Sequence, residues 1–218
     1  MTSIQLYSFF VSIQGESTRA GLPCTFVRLA GCPLSCRYCD TTAAREAPGD
    51  RVDLQEIVRR CASAGPLLVE VTGGEPLAQP GTLSLVSQLA DAGFAVLLET
   101  SGAFPIRDVD PRSRVIMDIK TPGSGMAERF CADNIAALDG SRHEVKFVVT
   151  SRADFDWSVA RVREARLADR CELLVSPVAG RVAFSELASW ILGCGLPLRF
   201  QPQLHKLIWP DTPPTEER

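Results

Sequence analysis

The sequence predicts an α/β domain in which buried parallel strands alternate with helices. Apolar runs rich in Val, Leu and Phe recur along its 218 residues, and their apolarity is continuous, which is typical of strands buried on both faces. Segments with apolar residues at helical spacing lie between several of these runs. This alternation favours right-handed βαβ crossovers, which would wind the strands into a barrel or an open doubly wound sheet.

The predicted core strands follow one another along most of the chain. They are residues 25–30, 67–72, 94–99, 114–119, 144–149, 172–176 and 198–201. Residues 3–11 precede them and alternate between apolar and polar side chains, so this stretch is also strand-like. In either architecture, the residues that follow the carboxyl ends of parallel strands face the ligand.

Four helices are predicted between these strands. The first begins at Asp53, an N-cap residue with Glu56 three positions on, and ends at Gly65. Its predicted buried positions are Leu54, Ile57, Val58, Cys61 and Ala62. The second helix ends before Gly93, the third covers about 155–167, and the fourth ends before Gly193.

Composition predicts one globular unit and excludes several classes of protein. With 45% hydrophobic residues and no flexible linker, residues 1–210 are expected to form a single domain, followed by a disordered tail at 211–218. The net charge of -3 and the dispersed basic residues argue against nucleic-acid binding. Because no apolar run reaches membrane-spanning length and no leader pattern is present, we expect a cytoplasmic protein without membrane contact.

Eight cysteines would permit disulfides, but in the cytosol free thiols or metal ligands are favoured. Five of them lie in apolar or helical patterns and are expected to be ordinary core residues: Cys24, Cys61, Cys131, Cys171 and Cys194.

The other three, Cys32, Cys36 and Cys39, lie in one short loop that also contains Pro, Ser, Arg and Asp. A structural zinc site needs four ligands and the next cysteine lies far along the chain, so zinc is disfavoured. Three closely spaced thiolates suit a [4Fe-4S] cluster with one iron left open. With an aromatic residue, Tyr38, before the last cysteine, the loop matches CxxxCxφC, the signature of the radical S-adenosylmethionine (SAM) superfamily. This resemblance implies that SAM chelates the open iron and yields a 5′-deoxyadenosyl radical.

Further polar motifs follow the predicted strands. The glycines of 73–76 (GGEP) would let the backbone approach a ligand, and 99–102 (ETSG) follows the next strand. Arg28 lies inside a buried strand, where either a substrate carboxylate or an internal glutamate would satisfy its charge. Hydroxyl and carboxylate oxygens in 40–42 (DTT) would suit Mg²⁺. His205, one of two histidines, is not expected to act directly in catalysis.

These motifs occur in the order QGE, FVRLAGC, CxxxCxYCDT, TGGEP, LETSG and QLHK, and over residues 5–210 the chain resembles the 7-carboxy-7-deazaguanine synthase family. The resemblance implies a modified partial (β/α) barrel of the radical SAM type, with about six mostly parallel core strands and few helices, in a homodimer. It also implies a carbon–nitrogen lyase that converts 6-carboxy-5,6,7,8-tetrahydropterin to 7-carboxy-7-deazaguanine with release of ammonia, as a step of queuosine biosynthesis. An external one-electron reductant, such as a flavodoxin or ferredoxin, would be its partner.

The resemblance also implies a role for individual residues. The cluster ligands would be Cys32, Cys36 and Cys39, and Thr41 would bind Mg²⁺. SAM would contact Tyr38, Cys39, Asp40, Gly74, Asp118, Ile119, Lys120, Ser176, Pro177, Val178 and Ala179. The pterin would contact Ile13, Gln14, Gly15, Arg28, Thr72 and Pro210.

The chain departs from the family pattern in places, and two other functions remain open at this stage. Asp118-Ile119 stands where the family commonly has Ser-Pro, and the chain continues for eight residues beyond Pro210. A glycyl-radical enzyme activase would share the cluster loop and the SAM chemistry but would act on a protein partner. A cluster-bearing electron carrier would have neither SAM nor a substrate pocket.

Overall fold

The computed structural model describes residues 3–210, and the predicted tail at 211–218 lies outside them. Within these residues, one sheet contains nine strands: β1 (Ser3–Ile13), β2 (Pro23–Leu29), β3 (Asp50–Asp53), β4 (Leu68–Gly73), β5 (Ala95–Thr100), β6 (Arg114–Asp118), β7 (Glu144–Val149), β8 (Glu172–Pro177) and β9 (Leu198–Phe200).

The strand order is β3-β1-β2-β4-β5-β6-β7-β8-β9. Strand β1 runs antiparallel to β2 and to β3, whereas every neighbouring pair from β2 to β9 is parallel. Because β3 and β9 are the two ends of this order, the sheet is an open, partial barrel. The α/β class with mostly parallel core strands is therefore confirmed.

In the described part of the chain, seven α-helices accompany the sheet: α1 (Thr42–Glu46), α2 (Leu54–Ala64), α3 (Thr82–Asp91), α4 (Asn134–Ala137), α5 (Arg152–Glu164), α6 (Phe184–Cys194) and α7 (Leu204–Ile208). Helix α2 begins as predicted, because the Asp53 carboxylate accepts a hydrogen bond from the backbone N–H of Gln55 at 2.9 Å. It ends at Gly65, whose φ of 103° is accessible to glycine without strain.

Several sequence predictions need correction. Leu54, Ile57 and Cys61 are buried on α2, but Ala62 is exposed and Val58 is half-buried, because they lie at the flank of the apolar stripe. Helix α6 continues through Gly193 and ends at Gly195 instead, where φ is positive. The short edge strand β3 was not predicted, since four residues carry no clear pattern. Of the five cysteines expected in the core, Cys24 and Cys61 are fully buried, and the others are partly exposed.

Each face of the parallel strands packs in its own apolar cluster. The outer face packs against the helices in one large apolar cluster. The inner face carries a second, smaller cluster of Cys24, Phe26, Leu68, Leu97 and Ile116, with Phe10 packed against it.

Charged side chains stand directly above this inner apolar cluster. Side chains two positions apart on a strand share a face, so the residue two positions beyond each inner apolar one also points inward. On four strands in succession that residue is charged and lines a cavity: Arg28, Glu70, Glu99 and Asp118. The interior of the barrel therefore has an apolar floor with a layer of charged side chains above it.

Within residues 3–210, no helix is both long and apolar enough to cross a bilayer.

Candidate active site

A cavity of about 580 Å³ opens at the carboxyl ends of the parallel strands. Most of the residues predicted to bind cluster, metal, SAM or pterin line it: Ile13, Gln14, Gly15, Arg28, Cys32, Cys36, Tyr38, Cys39, Asp40, Thr41, Thr72, Gly74, Asp118, Lys120, Val178, Ala179 and Pro210. Motifs more than a hundred residues apart in sequence thus share one cavity.

The cysteine loop lies between β2 and α1 and is held by backbone contacts. The backbone N–H of Arg37 donates to Ser124 O at 3.0 Å, and the Tyr38 hydroxyl donates to Val148 O at 3.1 Å. Burial raises the pKa of the Cys32 and Cys36 thiols above the ordinary value. Bound iron would replace these thiol protons, since thiolates are the ligand form. The donor set of three adjacent cysteines fits a [4Fe-4S] cluster with one iron available to another ligand.

Gly73 and Gly74 bring the second motif against the cysteine loop. The backbone N–H of Gly74 donates to Leu29 O at 2.9 Å, and the N–H of Glu75 donates to Gly31 O at 2.9 Å. A Cβ added at Gly74 would lie 2.0 Å from Gly31 O, so a larger residue cannot occupy this position without a backbone shift.

The glutamate of this motif joins two loops. Its carboxylate accepts hydrogen bonds from the Thr100 hydroxyl at 2.8 Å, from the Ser101 N–H at 2.7 Å and from the Leu77 N–H at 3.0 Å. Glu75 is fully buried, so these donors replace the water it loses on folding. Glu75 therefore fixes the loop after β4 to the loop after β5.

On the other side of the cavity, Asp118 and Lys120 form an ion pair. Lys120 Nζ donates to Asp118 Oδ2 at 2.8 Å, whereas Asp118 Oδ1 is buried and has no hydrogen-bond partner within residues 3–210. An unpaired buried carboxylate oxygen is costly, and a ligand hydroxyl or ammonium group would satisfy it. SAM carries both kinds of donor, so the residues present fit this cofactor.

Three of the residues predicted to contact SAM lie elsewhere. Ile119, Ser176 and Pro177 are buried and do not line the cavity, although Val178 and Ala179 of the same stretch do. Ile119 packs in the large outer core cluster. Their predicted contacts with SAM would require these segments to present backbone atoms.

Lys146 is the centre of the charged layer. Its Nζ lies 3.0 Å from Glu16 Oε2 and 3.7 Å from Asp118 Oδ2, and it also pairs closely with Glu99. Burial alone would lower the pKa of Lys146, but Glu16, Glu99 and Asp118 outweigh that effect and raise it well above the ordinary value. The lysine is therefore charged, and it holds together three strands and the QGE segment.

Glu70 on β4 and Glu99 on the neighbouring strand β5 lie close together, and their pKa values are shifted in opposite directions. Burial and the neighbouring Glu99 raise the pKa of Glu70 to about 8. The pKa of Glu99 falls to about 2, because Lys146 outweighs the effect of burial. Two adjacent buried carboxylates cannot both ionise at low cost, so near neutral pH Glu99 carries the charge and Glu70 keeps a proton.

Residues 203–206, the QLHK motif, cover the cavity next to the QGE segment. Gln203 Nε2 donates to Glu16 Oε1 at 2.8 Å, and the backbone N–H of Leu204 donates to Gly15 O at 3.2 Å. Lys206 Nζ donates to Asp40 Oδ2 at 2.9 Å and outweighs the partial desolvation of that carboxylate, so the pKa of Asp40 is held down at about 2. The QLHK motif thereby reaches the residue that follows the last cluster cysteine.

Two charged cavity residues, Glu70 and Lys146, lie outside the motifs found in the sequence. Glu99, Gln203 and Lys206 lie in the LETSG and QLHK motifs but had no predicted individual role. Glu70, Glu99 and Lys146 each lie inside a strand that was predicted to be buried on both faces. A charged residue in such a strand indicates that one face of the strand borders a polar interior. The pairing of Gln203 and Lys206 with distant loops has no local signal.

A trio of side chains near Thr41 could hold a cation. Ligand atoms of Glu16, Asp40 and His205 all lie within 4.8 Å of one another. His205 lies against Gly15, and a Cβ at position 15 would lie 2.8 Å from His205 Nδ1, so the histidine side chain would have to shift. Carboxylate and hydroxyl oxygens suit Mg²⁺, so the donor set at this end of the cavity fits that ion.

Known proteins resemble this chain over most of its length. Residues 27–118 match the radical SAM superfamily. A 7-carboxy-7-deazaguanine synthase of Chlorobaculum tepidum is 47% identical over 208 residues, which is 94% of each chain. Enzymes of the same name from Methanospirillum hungatei and Koribacter versatilis are 37% and 35% identical and cover 95% and 98% of this chain, or 86% and 99% of their own.

Solved structures support the fold. The crystal structure of QueE from Escherichia coli has a TM-score of 0.72 at 21% identity and covers 91% of this chain and 94% of its own. The structure of Streptococcus suis SuiB bound to a precursor peptide has a TM-score of 0.60 at 14% identity, over 81% of this chain and 47% of its own. The full-length similarity to several synthases shows that this chain belongs to the 7-carboxy-7-deazaguanine synthase family of the radical SAM superfamily.

Proposed function

We propose that this chain converts 6-carboxy-5,6,7,8-tetrahydropterin to 7-carboxy-7-deazaguanine with release of ammonia, as a radical SAM lyase. The observation that carries the proposal is that the cluster cysteines and the polar residues of β2 and β4 line one cavity. Full-length relatives that are named for this product support the same reaction.

Cys32, Cys36 and Cys39 would hold the [4Fe-4S] cluster, which with bound SAM supplies a 5′-deoxyadenosyl radical. Tyr38, Gly74, Asp118 and Lys120 line the cavity next to the cysteines. Asp118 Oδ1 is suited to accept a hydrogen bond from SAM, since it lacks a partner within the described residues. The buried protein walls would exclude water and other groups that quench radicals.

The pterin would lie beside β2 and β4. Arg28 on β2 and Thr72 on β4 are register partners and both line the cavity, as does Gln14. A guanidinium group is well matched to a carboxylate, so Arg28 is assigned to the 6-carboxylate of the substrate.

Mg²⁺ would bind at Thr41 and the substrate carboxylate. Thr41 lines the cavity, and the trio of Glu16, Asp40 and His205 stands at the same end. Mg²⁺ retains several waters and few protein ligands, which suits one hydroxyl together with nearby carboxylates. Its role would be to orient the substrate and to withdraw charge during the rearrangement.

A flavodoxin or ferredoxin would supply the electron, the chain would act as a homodimer, and it would reside in the cytoplasm. The eight cysteines, all present as free thiols, are compatible with a reducing compartment.

Anaerobic reconstitution, followed by incubation with SAM, dithionite and carboxytetrahydropterin, tests the proposal. We expect carboxydeazaguanine and one equivalent of ammonia, detected by mass spectrometry and an ammonia assay. Cleavage of SAM without this product would favour the activase, and absence of SAM binding would favour the electron carrier.

A further inference from the structure

Glu70 is a buried carboxyl to which the resemblance to the family assigns no role. Glu70 lies on β4 between Leu68 of the apolar floor and Thr72, with its side chain in the cavity wall. It is only 2% exposed. Its register partners are Phe26 on β2 and Leu97 on β5, so apolar residues flank it on both sides.

Glu70 differs from the other acidic residues of the cavity in its contacts. Glu16 and Glu99 share Lys146, and Asp118 pairs with Lys120. Gln14 Nε2 donates to Glu70 Oε2 at 2.7 Å, and the cation that acts on Glu70, Lys146, is already paired with Glu16 and Glu99. A buried carboxyl that shares its cation with two other carboxylates is incompletely stabilised by the protein.

The charges that face Glu70 indicate what kind of ligand group it would accept. Glu99 on β5 is the ionised neighbour, Lys146 on β7 is already paired, and Cys24 on β2 is a neutral thiol whose pKa is raised by burial. A ligand anion would be repelled by the carboxyl pair, whereas a pair of N–H donors would satisfy Glu70. Arg28 lies on the neighbouring strand β2, where its guanidinium suits a ligand anion, whereas Lys120 and Lys206 are paired with Asp118 and Asp40.

We propose that Glu70 is a specificity-determining residue, which accepts hydrogen bonds from the ring N–H and the exocyclic amino group of a 2-amino-4-oxopyrimidine ring. This inference rests on the proposed function, because a pterin carries that edge at the end opposite its 6-carboxylate. The two parallel donors match a carboxylate in the way that a guanidinium does. On binding, the Glu70 O–H bond breaks, its proton passes to the buffer, and two N–H···O hydrogen bonds form.

The experiment compares two fluorescent probes on the anaerobically reconstituted holoenzyme with SAM. Pterin-6-carboxylate presents the N–H and amino donors, and lumazine-6-carboxylate replaces the amino group with an oxygen. We expect the wild type to bind the pterin at least tenfold more tightly than the lumazine. In Glu70→Gln the amide can also donate to the lumazine oxygen, so this ratio should fall at least tenfold.

The ratio of two dissociation constants is measured on one folded population, so a partial folding defect does not alter it. Glu144→Gln, which changes a fully buried carboxyl on β7 outside the cavity, is the matched control and should keep the wild-type ratio. Glu70→Asp, which withdraws the carboxylate by one methylene, provides a second variant and should also lose the preference. Titration calorimetry near pH 7 in phosphate and in Tris should show proton release for the wild type that is absent in Glu70→Gln.

An unchanged ratio in both Glu70 variants, with turnover of carboxytetrahydropterin intact, would overturn the assignment of Glu70 and leave the proposed function standing. Failure of the wild type to bind either probe or to turn over the substrate would overturn the proposed function, and this inference with it.

Discussion

Lys206 and Asp40 are 166 positions apart in sequence, yet Lys206 Nζ donates to Asp40 Oδ2 at 2.9 Å. The ion pair joins the C-terminal helix α7 to the residue that follows the last cluster cysteine. The cluster loop is therefore held from β4 by the glycine motif and from the far end of the chain by this lysine.

Loss of this ion pair should loosen the closed cavity. We expect Lys206→Met to fold normally but to raise the dissociation constant for pterin-6-carboxylate about three- to tenfold, since both side chains are partly exposed and water weakens the pair. Fluorescence titration provides the measurement. Arg199→Met removes a looser, exposed pair with Glu172 and serves as the matched control; equal affinities in the two variants would contradict a closing role for Lys206.

Gly74→Ala should damage the site. The added Cβ would meet Gly31 O at 2.0 Å and Cys32 Cβ at 3.0 Å, so the cluster loop must shift. We expect a loss of about 1–3 kcal/mol in unfolding free energy and weaker SAM binding, measured by urea denaturation and equilibrium dialysis. Gly193→Ala is the control: a Cβ there has open space within α6, and it should stabilise the chain by about 0.5–1 kcal/mol. A Gly74→Ala variant as stable as this control would contradict the close approach of Gly74 to the backbone of Gly31.

Cys36→Ala should abolish cluster assembly while the apoprotein stays folded. Iron and sulfide analysis after anaerobic reconstitution, together with the visible absorbance of the cluster, gives the readout. Cys171→Ala changes a partly buried thiol outside the cavity and should retain wild-type iron. A full complement of iron in the Cys36 variant would refute its role as a ligand.

The raised pKa of Glu70 predicts a pH-dependent stability. The pKa of Glu70 is about 8 in the folded protein, against an ordinary value of 4.5, so between these two pH values the folded state holds a proton that the unfolded state has lost. Glu70 therefore makes its full contribution to the free energy of unfolding below pH 4.5, and this contribution is lost as the pH rises through 8. Relative to the wild type, Glu70→Gln should therefore gain stability between pH 5.5 and pH 8.5, by roughly 1–3 kcal/mol. Urea unfolding of both proteins at the two pH values tests this, and a pH-independent difference would show that Glu70 does not hold the proton.

The elements that were predicted correctly are those whose sequence pattern lies within a few neighbouring residues. Helix α2 was readable because Asp53 caps it and Gly65 ends it, and the cysteine loop because its spacing is short and specific. Gly73 and Gly74 were predicted to allow close approach of the backbone, and the structure shows which backbone approaches, namely that of Gly31.

The charged layer was harder to predict. Glu70, Glu99 and Lys146 interrupt strands that otherwise look apolar, and only the alternation of inner and outer faces shows that all three point into the barrel. The contacts of Gln203 with Glu16 and of Lys206 with Asp40 depend on how the chain ends fold over the sheet. No local pattern encodes such tertiary pairs.

The central claim is that the radical source and the pterin share the cavity above this charged layer. Substrate deuterated at C6 tests it directly, under anaerobic turnover with SAM and dithionite, with mass analysis of the recovered SAM and 5′-deoxyadenosine. We predict that deuterium appears in the 5′-deoxyadenosyl group while carboxydeazaguanine accumulates. Product formation without any transfer of deuterium would contradict the claim.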